Sequence, residues 1–287
     1  MKKCIHLLSI PFLLAAMMVF AGCQPLVQEV DNDIINTESK LVVYGLISPQ
    51  NELHIVEVTE SLPAIREING NNVDQFMPIS TAIVTLMDGA SSVILSYNDQ
   101  DERYEVRNDD FPITAGTTYT LTVEGNGKSV SATCTIPELN TNWSYTLRET
   151  SRDGYTHEVA MTVNDIPGQD NYYRADALIT RASGFVIEPG YWDENAYVSD
   201  GSNDGGSFTL RKSFYMDLDY IKDNYPGALL SMTWMTTDEG FYRYFRDLDT
   251  DYDDNPFEEP VITYSNVEGG LGVFAGYQVH QVEVELE

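Results

Sequence analysis

From Leu41 onward, apolar residues recur at every second position, the spacing of a half-buried strand rather than the 3.6 of a helix. Leu41-Val42-Val43-Tyr44-Gly45-Leu46-Ile47 is an apolar run of buried-strand type, and shorter runs follow over 53–58 and 82–87. The clearest alternation comes next. Tyr119, Leu121 and Val123 alternate with Thr118, Thr120 and Thr122. After Gly125-Asn126-Gly127, Val130, Ala132, Cys134 and Ile136 alternate with Ser129, Ser131, Thr133 and Thr135. Two such runs around a Gly-rich turn predict an antiparallel hairpin. Cys134 falls on its apolar face, as a small core residue, and Pro137 stops the strand. Residues 40–138 therefore predict an immunoglobulin-like β-sandwich.

The second half keeps the period of two. His157, Val159, Met161 and Val163 line one face of a strand, with further strands over 172–180 and 208–216. Val282, Val284 and Leu286 alternate with Glu283, Glu285 and Glu287, a final strand with one acid-coated, solvated face. One segment breaks the rule. Thr236-Thr237-Asp238-Glu239 fits a capping box, and Phe241, Tyr244, Phe245 and Leu248 follow at i, i+3, i+4 and i+7. Residues 139–287 thus predict a second β-rich domain with one short helix, and the fold class is all-β.

The first 22 residues are of another kind. Met1-Lys2-Lys3 precedes an apolar run from Ile5 to Phe20, ending in Ala21-Gly22-Cys23. A charged start, an apolar stretch and small residues at its end form a signal peptide. Phe20-Ala21-Gly22-Cys23 reads as a lipobox, with Cys23 the lipidated residue. Two or three acyl chains, at about 0.8 kcal/mol per buried methylene, anchor a protein stably. Residues 23–39, carrying Glu29, Asp31, Asp33 and Glu38, read as an acidic tether.

Composition sharpens this picture. The 287 residues carry 16 Lys+Arg against 45 Asp+Glu, a formal charge of −29; loss of Lys2 and Lys3 with the leader makes it −31. No basic patch relieves that balance, which excludes nucleic acid as a partner. An apolar fraction of 43% marks a globular rather than a disordered chain. With Cys4 removed and Cys23 lipidated, Cys134 is the one thiol left, so no intramolecular disulfide is expected.

Candidate chemistry is sparse. Asp247, Asp249 and Asp251 stand at positions 1, 3 and 5 of a calcium-loop register, with Glu258 at position 12. Tyr252 replaces the glycine needed at position 6, and Pro256 and Pro260 interrupt the helix that should follow. A Ca2+ site there competes with a solvated acidic loop; no other cofactor is expected. Asp200, Asn203 and Asp204 make a second oxygen-rich loop. Tyr191, Trp192 and Tyr197 are candidates for an exposed aromatic surface that stacks on sugars or anchors a partner. The scattered histidines form no zinc or Cys-His pattern, no Ser sits in a G-x-S-x-G elbow, and no catalytic residue is assigned. Gly270 and Gly272 read as positions of positive φ or close packing beside the last strand.

Three strings carry a resemblance. They are Lys40-Leu41-Val42-Val43-Tyr44-Gly45-Leu46-Ile47, then Asp165-Ile166-Pro167-Gly168 with Asn171-Tyr172-Tyr173, and Tyr264-Ser265-Asn266-Val267-Glu268-Gly269-Gly270-Leu271-Gly272-Val273-Phe274. Together they resemble the Bacteroidota outer-membrane lipoproteins catalogued as domain of unknown function 4249. The resemblance covers nearly all of the chain after Cys23. It implies a lipid-anchored, mostly β protein whose gene often neighbours a TonB-dependent receptor, and it supplies no catalytic residues. The expected function is therefore a non-enzymatic outer-membrane accessory or binding partner of such a receptor. A surface glycan- or peptide-acting hydrolase and an adhesin are the alternatives.

Overall fold

The computed structural model describes residues 39–61, 77–151, 154, 156–192, 196–201, 203–215, 217–250 and 263–286. All of them belong to one compact unit. The first half supplies β1 (Leu41–Ile47), β2 (Leu53–Glu60), β3 (Ile83–Met87), β4 (Ser92–Ile94), β5 (Ser96–Asn98), β6 (Arg103–Arg107), β7 (Thr118–Gly125) and β8 (Lys128–Thr135). The second half supplies β9 (Trp143–Glu149), β10 (His157–Asn164), β11 (Tyr172–Thr180), β12 (Val186–Glu188), β13 (Tyr191–Trp192), β14 (Tyr197–Ser199) and β15 (Ser207–Phe214). Helix α1 (Leu218–Asn224), β16 (Leu229–Thr237), helix α2 (Glu239–Thr250) and β17 (Leu271–Glu285) complete it. The fold is all-β, as the alternation predicts.

The hairpin forms as expected. β7 and β8 pair from Thr118↔Thr135 to Gly125↔Lys128, around Asn126 at φ 51° and Gly127 at φ 74°. Two left-handed residues give the turn twist that suits the flanking strands. With β3 and β4 they form the sheet β4-β3-β7-β8. Its inner face packs on β1, β2 and β6 through a core that includes Leu41, Val43, Leu86, Tyr104, Leu121 and Ile136. A second sandwich sets β13-β15-β10-β9 against β11, β16 and β17, with Met161, Tyr173, Phe214, Leu230 and Trp234 fully buried between them.

One strand belongs to both sandwiches. Leu271 to Gly276 of β17 pair in parallel with Val42 to Ile47 of β1, and Tyr277 to Glu285 pair antiparallel with β16. The sandwich of residues 40–138 is thus completed by chain from the far end of the sequence. From Val273 to Gly276 the shared segment is buried. Phe274 enters the first core, while Val273 and Ala275 pack beneath Phe241 of α2. Burying a phenylalanine of this kind contributes about 1.5–3 kcal/mol, so the apolar stripe of α2 fixes the helix over the strand crossing.

Two details differ from the sequence expectation. Thr236 and Thr237 are not caps; they end β16, where Thr237 pairs with both Tyr172 and Tyr277. Asp238 caps α2 instead, its Oδ1 accepting the Phe241 N–H at 2.8 Å. Strand pairing on both edges outweighed the local capping pattern. The second difference is α1, capped by Asp217. Its seven residues are too short to show a stripe.

His54 gives a testable consequence of this packing. It is fully buried, and its Nε2 lies 2.9 Å from Asn108 Oδ1, which also accepts the Ile113 N–H. Nε2 is therefore the protonated nitrogen, and burial holds the ring's pKa below its ordinary value. The folded state takes up the second proton less readily than the unfolded chain. Stability is accordingly intact above about pH 6.5 and is lost as pH falls below that value. Urea melts at pH 7 and pH 5 are expected to show a shallower acid loss in His54→Gln, which keeps a donor but does not titrate. Equal losses in the two proteins would contradict this.

Candidate functional site

A cleft of about 610 Å3 opens where the end of β8, the turn before β11, the start of α2 and residues 264–266 meet. Four carboxylates line it: Glu138, Asp170, Asp238 and Glu239. Asp238 is the innermost in chemical terms. Its Oδ1 caps α2, its Oδ2 accepts the Gly276 N–H at 3.0 Å, and its own N–H donates to the Gly276 carbonyl at 3.0 Å. The start of α2 is thereby tied to β17 at the residue where pairing passes from β1 to β16. Burial pushes the Asp238 carboxyl up to about 7, against the two backbone N–H groups that lower it.

Asn266 does parallel work beside it. Its Oδ1 accepts the Phe274 N–H at 2.9 Å and its Nδ2 donates to the Phe274 carbonyl at 2.7 Å. The side-chain amide thus stands where a neighbouring strand would. Cys134 also lines the cleft, but it is a buried core residue, as the hairpin pattern predicts. Burial, and then the nearby Asp238, push its thiol well above the ordinary range. It is not a thiolate nucleophile.

The aromatic trio does not form one surface. Tyr191 is exposed, with its ring edge-on to Tyr215. Trp192 is half-buried beneath the ammonium of Lys212, which pairs with Asp176 at 2.6 Å. Tyr197 is buried, because β14 pairs with β11 through Arg174↔Tyr197 and carries the ring under α2 against Tyr242. The segment expected to present an exposed aromatic surface contains the short strands β13 and β14, which send Tyr191 and Tyr197 to different environments.

The calcium register begins inside a helix. Asp247 and Asp249 lie in the last turns of α2, where residues two apart do not face each other. Asp247 pairs with Arg246 at 3.0 Å and accepts the Tyr264 N–H at 3.2 Å, while Asp249 bears on Tyr197. Asp251 and Glu258 lie outside the described residues, as do Cys23 and the tether up to residue 38.

The second oxygen-rich loop gains a member. Asp165, Asp200 and Asp204 bring carboxylate oxygens within 4.8 Å of one another. Asp165, from the Asp-Ile-Pro-Gly string, stands far from the other two in sequence, so no local pattern points to it. Its oxygens accept the Tyr173 hydroxyl at 2.6 Å and the Gly205 N–H at 2.9 Å. Asp200 accepts from Gly201 and Asn171, and Asp204 from Gly168. The oxygens have the hardness that suits a cation such as Ca2+. Their observed work is to latch the turn after β10 to the loop before β15 through backbone donors.

Two sandwiches that share one strand, with carboxylates and amides used as struts along it, define an all-β protein of several sheets. The chain belongs to the family described as "Domain of unknown function (DUF4249)", whose model matches residues 25–283. No curated protein matches it. Among solved structures it is similar to a beta-glucuronidase from glycoside hydrolase family 2, at 10% identity and a TM-score of 0.24. That match covers 71% of this chain and 19% of the other, so the chain spans about a fifth of that enzyme's length.

Proposed function

We propose that this chain is a lipid-anchored outer-membrane protein that acts, without catalysis of its own, as an accessory to a TonB-dependent transport receptor. The observation that carries the reading is Phe20-Ala21-Gly22-Cys23 at the end of a charged and apolar leader. It gives the body a covalent route to the membrane, and the acidic residues that follow repel anionic headgroups and hold the body off the surface. The local chemistry supports a binding role. Asp238, whose carboxyl burial pushes up to about 7, has both oxygens engaged by backbone N–H groups. It is built as a strut rather than as a free proton donor.

Replacing Cys23 by alanine tests the anchor. In cells fed a labelled fatty acid, the wild-type chain is expected to carry label and to sediment with membranes. Cys23→Ala is expected to lose the label and leave that fraction. An unlabelled wild-type chain would overturn the anchor.

A further inference from the structure

The two edges of β17 are occupied in strict alternation. On one edge, Phe274 exchanges both backbone bonds with the Asn266 amide, Gly276 exchanges both with Asp238, and β16 takes over from Tyr277. Even-numbered residues therefore turn their N–H and C=O to this edge. On the other edge β1 pairs as far as Gly276. Beyond it, the Gln50 amide meets Val279: Nε2 donates to the Val279 carbonyl at 2.7 Å, and the Val279 N–H donates to Oε1 at 2.6 Å. By the same parity, Gln281, Glu283 and Glu285 turn their N–H and C=O to this edge. Among the described residues no strand pairs with them there.

The facing sheet ends on the same side. Trp143 of β9 donates to His280 of β17 at 2.7 Å and closes one end of the seam between the sheets. Past that point the seam is open. Tyr145 and Leu147 sit opposite the fully buried Met161 and Val159, yet are 37% and 36% exposed. Val282 and Val284, opposite the fully buried Met232 and Leu230, are only partly covered.

We propose that this seam receives an extended segment of the partner protein by strand addition. The segment continues the line of β1 past Gln50 and pairs with the backbone of Gln281, Glu283 and Glu285. Alternate apolar side chains of the segment cover Val282, Val284, Tyr145 and Leu147. Lys or Arg stands at the positions between, because Glu283 and Glu285 are exposed on the outer face and opposite charges across a strand pair are favoured. A second copy of this chain, at −29, sets like charge against like. The inference rests on the proposed partner role and gives that role a surface.

The test uses the full chain and two short synthetic peptides, one alternating valine with lysine and one alternating valine with glutamate. The valine–lysine peptide is expected to slow amide exchange of Gln281, Glu283 and Glu285 by about tenfold or more, and the valine–glutamate peptide to leave it unchanged. In the double variant Glu283→Lys, Glu285→Lys the preference is expected to reverse. Glu283→Pro removes an edge-facing N–H without touching a bond to β16, so it is expected to abolish protection while the melting temperature holds. No protection by the lysine peptide, or equal protection by both, overturns the proposal and leaves the glutamates as guards of a bare edge. A receptor that copurifies equally with the charge-reversed chain overturns the seam but not the partnership. Peptide selectivity without any receptor supports the seam and counts against the partnership.

Discussion

Gly272→Ala is expected to abolish cooperative folding of the whole body. A Cβ at this position stands 1.9 Å from the Val43 carbonyl oxygen, and the backbone sits at φ +107°, a conformation side chains rarely adopt. The strained dihedral alone costs about 1–3 kcal/mol. The clash cannot be relieved by a rotamer, because the obstructing atom is backbone of β1. Relief therefore needs β1 and β17 to part, which places the substitution among the rare losses above about 4–5 kcal/mol. Against a typical total of about 5–15 kcal/mol, that is decisive. Gly127→Ala is the control: its φ is +74°, but nothing lies within 4 Å of the added carbon. It is expected to cost only the dihedral strain. Urea unfolding followed by circular dichroism and by tryptophan emission checks this. Trp143 and Trp234 both report on the second sandwich, whereas Gly272 pairs with the first. Loss of the tryptophan signal in Gly272→Ala shows that the shared strand couples the two. A wild-type midpoint, or a second sandwich that melts normally, would contradict that coupling.

Asp238→Ala is expected to cost about 2–4 kcal/mol. Loss of a helix cap accounts for about 0.5–2 kcal/mol, and the stranded Gly276 N–H for about 1–3 kcal/mol. The pH dependence separates this residue from an ordinary cap. Its folded-state pKa is raised from 3.8 to about 7. The folded protein therefore holds the proton more tightly than the unfolded chain, and the stability this provides is present at low pH and lost as pH rises from about 4 through about 7. Asp238→Asn keeps one acceptor and removes the titration. Relative to the wild type it is expected to gain stability between about pH 4 and pH 7 and to level off above that. A difference that stays constant across that range would show that the carboxyl does not titrate there.

Much of this architecture was legible in the chain, because a half-buried strand writes its face directly as alternation. The hairpin around Gly125-Asn126-Gly127 emerged as read, and so did the stripe of α2 through Phe241, Tyr244 and Phe245, though its last member, Leu248, is exposed. What was not legible lies in pairings between distant segments. Nothing local to Leu271–Gly276 says that it joins β1, although the tight glycines there hinted at a close approach. Asp165 joins Asp200 and Asp204 only through the fold, and Tyr197 is hidden because β14 pairs with β11. The capping box failed for a related reason. Thr236 and Thr237 fitted the local pattern, but strands on either side claimed their backbone. Acid abundance blurred the rest: among 45 carboxylates a calcium register arises readily, and this one begins within a helix.

The role proposed for this body is to hold a partner at the outer membrane. Its most direct test is to solubilise native membranes in mild detergent, isolate the chain and identify what accompanies it by mass spectrometry. A TonB-dependent receptor is expected in near-equal amount, retained at moderate salt and depleted when Glu283 and Glu285 are both replaced by lysine. A chain that emerges from those membranes alone, under conditions in which other membrane complexes stay whole, would contradict it.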